Sequence, residues 1–366
     1  MKLLDKIQKK ISQSGHITFD DYMEYCLYTP NLGYYNNKNI SLEPSKSDFI
    51  TGPEVSSIYT DSIVNFYKKY KNFQNIENII EFGAGSGSLA YNFLKGLDEK
   101  SIPKKYYIIE KSDHLKEQQK NKIKKLPNNL SSRVEWLDDL KKIDNAFLIA
   151  NEVLDAIPSK IFFKEKDNIY EKVIKYDNNL YFSKIKCNPV FQSEIENIEK
   201  RIKRKFPNYY TFEVNFIYEK FLKNIYKNTK NFIFLIIDYG YGENEFYHPE
   251  KFNGTIQFYK KHKKIYDCLI EQGNFDISIS VDFSRIKRIS ELSNVQLLSF
   301  TSQTEFLLKT GVLENSSKIQ NINDRSNILK TLLFPTDMGE SFKIMLLCDH
   351  KDNNFLLDFK DYRHQL

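Results

Sequence analysis

The stretch NIIEFGAGSGS, residues 78–88, runs a short apolar segment into a turn with glycine at every second position: Gly83, Gly85 and Gly87. Glycine supplies positive φ and lets a ligand approach the backbone without a Cβ in the way. Such a turn at the end of a strand, followed by a helix through Leu97, opens an α/β unit. Further apolar runs of strand length lie at Tyr106–Ile109, Ala146–Ala150 and Phe232–Ile237, with a weaker strand signal at Arg133–Trp136, separated by polar helical stretches. Strands that are apolar throughout and alternate with helices predict a parallel sheet covered on both faces. The expected fold class is a doubly wound, Rossmann-like α/β sheet.

A dinucleotide fingerprint, G-x-G-x-x-G, would need a third glycine at position 88, where Ser88 stands. The spacing here is G-x-G-x-G with Glu81 before it, a form typical of S-adenosylmethionine binding, where no pyrophosphate has to be cradled. The second strand ends at Glu110, where such folds place the acid that accepts both ribose hydroxyls. An ordinary glycine-rich turn and a solvated strand-end glutamate are the plainer readings. Two features in register favour the cofactor.

The fourth strand ends in Asn151-Glu152-Val153-Leu154-Asp155, and ligands of such sheets bind beyond the carboxyl ends of the strands. In a helical turn Glu152 and Asp155 would share a face and could grip a guanidinium through paired charge-assisted hydrogen bonds. Capping of a following helix by Asn151 or Asp155 is the alternative.

Composition restricts the classes further. The 366 residues are 41% hydrophobic and 28% charged, ordinary for a globular chain. An excess of 54 basic over 48 acidic residues, net +6, does not imply a nucleic-acid partner. The basic clusters Lys116–Lys125, Lys200–Lys205 and Lys260–Lys264 read as solvated helix faces. Cys26, Cys187, Cys268 and Cys348 form no CxxC pair and the six histidines are scattered, which argues against a metal site or a disulfide scaffold and for a reducing compartment. No apolar run approaches the ~20 residues of a membrane span. The basic, amphipathic N-terminus reads as a folded helix and not as an address tag.

The expected domains are an N-terminal helical extension, 1–75; a core, 76–158 and 231–366; and an inserted α+β lobe, 159–230. Within that lobe Ile161–Phe163, Ile169–Tyr176 and Leu180–Ile185 are expected to be antiparallel strands, followed by helical stretches at Phe191–Phe206 and Asn215–Asn228.

Motifs along nearly the whole chain resemble the MidA-like family, methyltransferases related to the mitochondrial complex I assembly factor. They are Phe19, Tyr22-Met23, Leu27-Tyr28, Pro30, Gly33-Tyr34-Tyr35, Asp48-Phe49, Thr51, Pro53-Glu54, the Glu81 glycine turn, and Asn151-Glu152 through Pro158. Asp238-Tyr239-Gly240, Gly254-Thr255, His262, Asp276-Ile277-Ser278, Val281-Asp282-Phe283, Gln303, Phe306-Leu307, Met338-Gly339 and Phe342-Lys343 continue the series. Ala84 and Ser86 replace the family's usual proline and arginine, with all three glycines kept.

The resemblance implies a class I methyltransferase fold using S-adenosyl-L-methionine. It also implies arginine methylation of a protein, in the mitochondrial case a respiratory complex I subunit, with no nucleic-acid partner. The compartment would be the bacterial cytoplasm, or the mitochondrial matrix in a eukaryote. The expected cofactor set is Glu81, Gly83, Gly85, Gly87, Glu110 and Asn151, with Thr51 and Glu54 from a Gly-Pro loop that either closes over the cofactor or fixes itself. Glu152 and Asp155 are the expected catalytic pair and Glu213 a weaker third; His262, Asp276, Asp282 and Lys343 line a substrate channel or pack. A methyltransferase acting on a small molecule or RNA, and a non-catalytic assembly scaffold, are the rival readings.

Overall fold

The computed structural model describes residues 2–38, 51–71, 75–260, 263–350 and 358–366. Its centre is a sheet of seven main strands: β1 Asn78–Phe82, β2 Lys105–Ile109, β3 Val134–Leu137, β4 Ala146–Asn151, β5 Phe232–Tyr241, β6 Gln296–Ser302 and β7 Phe342–Cys348. Their spatial order is β6-β7-β5-β4-β1-β2-β3. β7 alone is antiparallel to its neighbours, wedged between β5 and β6. The five glycine-turn and apolar-run strands fall where the sequence placed them; β6 and β7 had not been expected. The outcome is the expected doubly wound α/β sheet.

Side-chain alternation puts Ile79, Phe147, Ile149, Ile233, Leu235 and Ile344 on one face, against the helix Ser57–Lys71 and its neighbours. Ile80, Leu148, Ala150, Phe234, Ile236 and Met345 face the other way, against the helices Ile217–Asn228 and Phe283–Leu292. Each such side chain removed from water contributes about 1.5–3 kcal/mol.

The expected antiparallel strands of the insertion form at Lys160–Glu165, Asn168–Asp177 and Asn179–Lys186. A strand Tyr210–Val214, unforeseen, pairs with the first of them, and Ile17–Thr18 from the N-terminus pairs with the second. Helices Leu3–Ser14 and Phe19–Tyr28 bury Ile7, Ile11, Phe19 and Met23 in one cluster with Ile161, Ile174, Phe275 and Ile277. Residues 3–36 thus pack with the insertion, while Ser57–Lys71 packs on the central sheet. Of the basic clusters, Lys260 and Lys263–Lys264 lie on two short antiparallel strands and not on a helix. All four cysteines are buried. Among the described residues no helix is long and apolar enough to cross a membrane.

Candidate active site and cofactor pocket

Between β1 and β4 the strand order reverses, which is where doubly wound sheets bind ligands. A pocket opens there, lined by the glycine turn, Glu110, the Thr51–Glu54 segment, Tyr28, Tyr35 and the Asn151–Ala156 segment. Gly83, Gly85 and Gly87 have φ of 58°, 52° and 78°, the left-handed region that a side chain resists. Gly83 and Gly85 line the pocket; Gly87 stands behind, where an added Cβ would lie 3.2 Å from Gln119.

Glu110 is buried and accepts from Ser112 N at 3.0 Å and Gln119 Nε2 at 3.1 Å. Gln119 Nε2 also donates to the Gly85 carbonyl at 2.9 Å, while its Oε1 accepts from Trp136 Nε1 at 2.9 Å. Gln119 therefore ties the turn to the strand-end acid, a role that nothing in the polar run KEQQKNK signals. Glu81 accepts from Tyr106 Oη at 2.7 Å, and burial pushes its carboxyl up to about 8. Ser86 Oγ donates to Glu54, joining the glycine turn to the segment that begins at Thr51. Asn151 accepts from Tyr59 Oη and donates to Glu152 at 3.3 Å.

Glu54, Glu81, Glu110 and Glu152 line this pocket, and no Lys or Arg does among the described residues. Burial holds Glu81 and Glu152 near 8, so a bound sulfonium or ammonium favours their ionised form, whereas a dinucleotide's phosphates would oppose it. The residues present fit S-adenosylmethionine.

The acidic pair departs from expectation. No helix follows β4, and Glu152 itself has φ of 54°, so Glu152 and Asp155 do not share a helical face and Asp155 caps nothing. The cause lies on β5. Asp238 Oδ2 accepts from the N–H groups of Val153, Leu154 and Asp155 at 3.2, 2.9 and 3.3 Å, coiling the chain around its carboxylate. The turn's carbonyls are held as well: Leu154 by Tyr218 Oη, Asp155 by Ile279 N, Ala156 by Tyr28 Oη and Ile157 by Asn215 Nδ2. Buried backbone groups must be paired, and here tertiary partners replace a helix.

Glu152 lines the pocket and accepts from Gly52 N at 3.2 Å. Asp155, 8% exposed, does not line it, and its Oδ1 has no hydrogen-bond partner among the described residues. Burial, then the neighbouring Asp155, pushes Glu152 up to about 8. Burial, Asp238 and Asp276 push Asp155 well above the carboxylate range. Burial and Glu152 raise Asp238 to about 8, against the pull of its N–H donors. Asp276 joins the group, its carboxylate accepting from Tyr35 Oη at 2.9 Å and Ser278 Oγ at 2.7 Å.

Glu213 and Asp282 sit in a separate cavity, and Lys343 donates to the Glu340 carbonyl. Asp48, Phe49 and His262 lie outside the described residues. Tyr28 and Tyr35 had been singled out only as motif positions; their place in the pocket follows from packing of the N-terminal segment.

A family model described as "Putative S-adenosyl-L-methionine-dependent methyltransferase" matches residues 60–301. The chain belongs to this methyltransferase family. A relative from Burkholderia thailandensis, solved with bound S-adenosyl-homocysteine, superposes with a TM-score of 0.91 at 26% identity, covering 100% of this chain and 96% of that one. The chain is also 25% identical over 375 residues to the Caenorhabditis elegans "Protein arginine methyltransferase NDUFAF7 homolog, mitochondrial", spanning 92% of this chain and 84% of the relative. To the human "Protein arginine methyltransferase NDUFAF7, mitochondrial" it is 25% identical over 393 residues, spanning 95% and 84%. The chain is an S-adenosylmethionine-dependent methyltransferase.

Proposed function

We propose that this methyltransferase modifies arginine in a protein, with Glu152 and Asp155 as the acceptor-side acids. The observation that carries the reading is the group of half-buried Glu152 with buried Asp155 and Asp238, with which no Lys or Arg forms an ion pair among the described residues. Packed carboxylates without a counter-ion are costly, and a cation entering beside Glu152 would offset that cost. The names of the animal relatives support an arginine acceptor, and the family resemblance a subunit of respiratory complex I.

S-adenosylmethionine supplies an activated methyl group when bound. We assign its ribose to Glu110, its methionine end to Glu81 and the glycine turn, and the closing side of the pocket to Thr51, Glu54 and Asn151. An arginine is protonated below pH ~12 and has little lone-pair density to give. Glu152 would draw the positive charge away from the attacking nitrogen, and Glu152 or Asp155 would take the proton released.

Tritiated-methyl transfer to cell extract, followed by mass spectrometry of the labelled proteins, tests the proposal. Label on arginine of a respiratory subunit is expected. Label confined to RNA, small molecules or other side chains would refute the arginine assignment and leave the methyltransferase intact.

A further inference from the structure

A second cavity, sharing no lining residue with the cofactor pocket, lies against the 152–158 turn. Asn215 and Tyr218, which hold the carbonyls of Ile157 and Leu154, form part of its wall. Ser159, Glu213, Asp282 and Arg285 also line it, at 1%, 1%, 4% and 7% exposure. Each contributes a buried polar atom without a hydrogen-bond partner among the described residues: Ser159 Oγ, Glu213 Oε1, Asp282 Oδ2 and Arg285 Nε. The nearest charge contact among these atoms is Arg288 to Asp282 Oδ2, at 3.9 Å, too long for a hydrogen bond. Buried polar atoms are nearly always paired with protein or ordered water, so four orphans around one small space require a common partner.

Thr255 fixes one oxygen of Glu213: Oε2 accepts from Thr255 N at 3.0 Å and Thr255 Oγ1 at 3.2 Å, while Oε1 stays buried without a hydrogen bond among the described residues. Gly254 has φ of 78°, and a Cβ there would lie 1.9 Å from Glu213 Oε1. Only glycine leaves room for this carboxylate.

Arg285 Nε donates, the Ser159 hydroxyl can donate, and the two carboxylate oxygens accept. Two donors and two acceptors complement the lone pairs and hydrogens of one water, and the space is on the order of one water. We propose that this cavity is an internal hydration site whose water accepts from Arg285 and Ser159 and donates to Glu213 and Asp282. The water joins the inserted segment, which contributes Ser159 and Glu213, to the helix Phe283–Leu292 and its Asp282 cap. It thereby backs the turn that carries Glu152 and Asp155. The inference does not depend on the acceptor being arginine.

A high-resolution crystal structure of the full chain tests it directly. One ordered water within about 2.7–3.2 Å of at least three of the four atoms is expected. A dry cavity, direct pairing among the four side chains, or density with the coordination of a metal ion would overturn the proposal. Water-oxygen-17 relaxation dispersion gives an independent readout in solution. Glu213→Leu should remove one long-lived water that Glu213→Gln retains, and an unchanged water count in folded Glu213→Leu would refute the site.

Discussion

The carboxylate of Asp238 receives the Leu154 N–H at 2.9 Å, across the boundary between β5 and the turn after β4. The flanking N–H groups of Val153 and Asp155 converge on the same oxygen. Removing that acceptor leaves three inward-facing donors without a partner, each costing roughly 1–3 kcal/mol. Asp238→Ala should therefore lose at least about 3 kcal/mol of stability in denaturant unfolding, and Asp238→Asn, which keeps an acceptor oxygen, distinctly less. Equal and small losses in both variants would show that the turn holds its shape without this carboxylate.

This arrangement also marks what was legible in the sequence. β1, β2, β4 and β5 could be read because buried parallel strands are largely apolar, β3 (VEWL, half-buried at the edge) only weakly so, and the glycine turn because positive φ selects glycine. β6, QLLSFTS, carries polar residues through its length and shows no clear period, whereas β7, FKIMLLC, ends in an apolar run of strand length that was legible and passed over because it follows a helix-rich stretch. The spacing of Glu152 and Asp155 suggested a helical face because local rules cannot see Asp238, distant in the chain, capturing the N–H groups. Gln119 and the two pocket tyrosines were invisible as site residues for the same reason: contacts far along the chain define their roles.

Glu110 should contribute through a charged hydrogen-bond pair to the ribose, worth ~1.5–3 kcal/mol. Glu110→Ala should weaken S-adenosylmethionine binding roughly 10–100-fold in calorimetry. Because Gln119 Nε2 bridges Glu110 and the Gly85 carbonyl, Gln119→Leu should weaken binding as well, though without touching the ligand. Wild-type affinity in folded Glu110→Ala would assign the ribose elsewhere.

Gly85 has φ of 52° in the wall of the pocket. A β-branched residue resists that conformation and would project into the ligand's path. Gly85→Val should abolish cofactor binding while circular dichroism stays near wild type. Normal binding by the variant would make the turn purely architectural.

Burial and Asp155 hold the Glu152 carboxyl up to about 8 in the folded chain, against about 4.3 when unfolded. Between these values the folded state binds the extra proton, so stability falls as pH rises, by at most about 1.4 kcal/mol per pH unit for this group. The ligand-free protein should accordingly melt lower at pH 8 than at pH 5.5, and Glu152→Gln should reduce that difference. Glu81 and Asp238, raised by burial too, should keep part of the slope in the variant. A melting temperature that rises with pH over this window would contradict the burial of uncompensated acids.

The acidic pair decides the acceptor assignment. Glu152→Gln and Asp155→Asn are nearly isosteric and keep an acceptor oxygen for the N–H groups these side chains face, while the N–H groups of Val153, Leu154 and Asp155 converge on Asp238. Fold and cofactor affinity should survive both changes. What disappears is negative charge that would orient a guanidinium and take up its proton. Transfer to the protein acceptor should drop by at least ~100-fold in one variant or both, while S-adenosylmethionine binding stays close to wild type. Glu152 lines the pocket and Asp155 does not, so Glu152→Gln should be the more severe. Helix capping by Asp155 no longer competes as an explanation, since no helix begins there. If both variants transfer methyl groups at the wild-type rate, the acids take no part in the reaction, and a neutral acceptor, binding without charge complementarity, becomes the better reading of the same pocket.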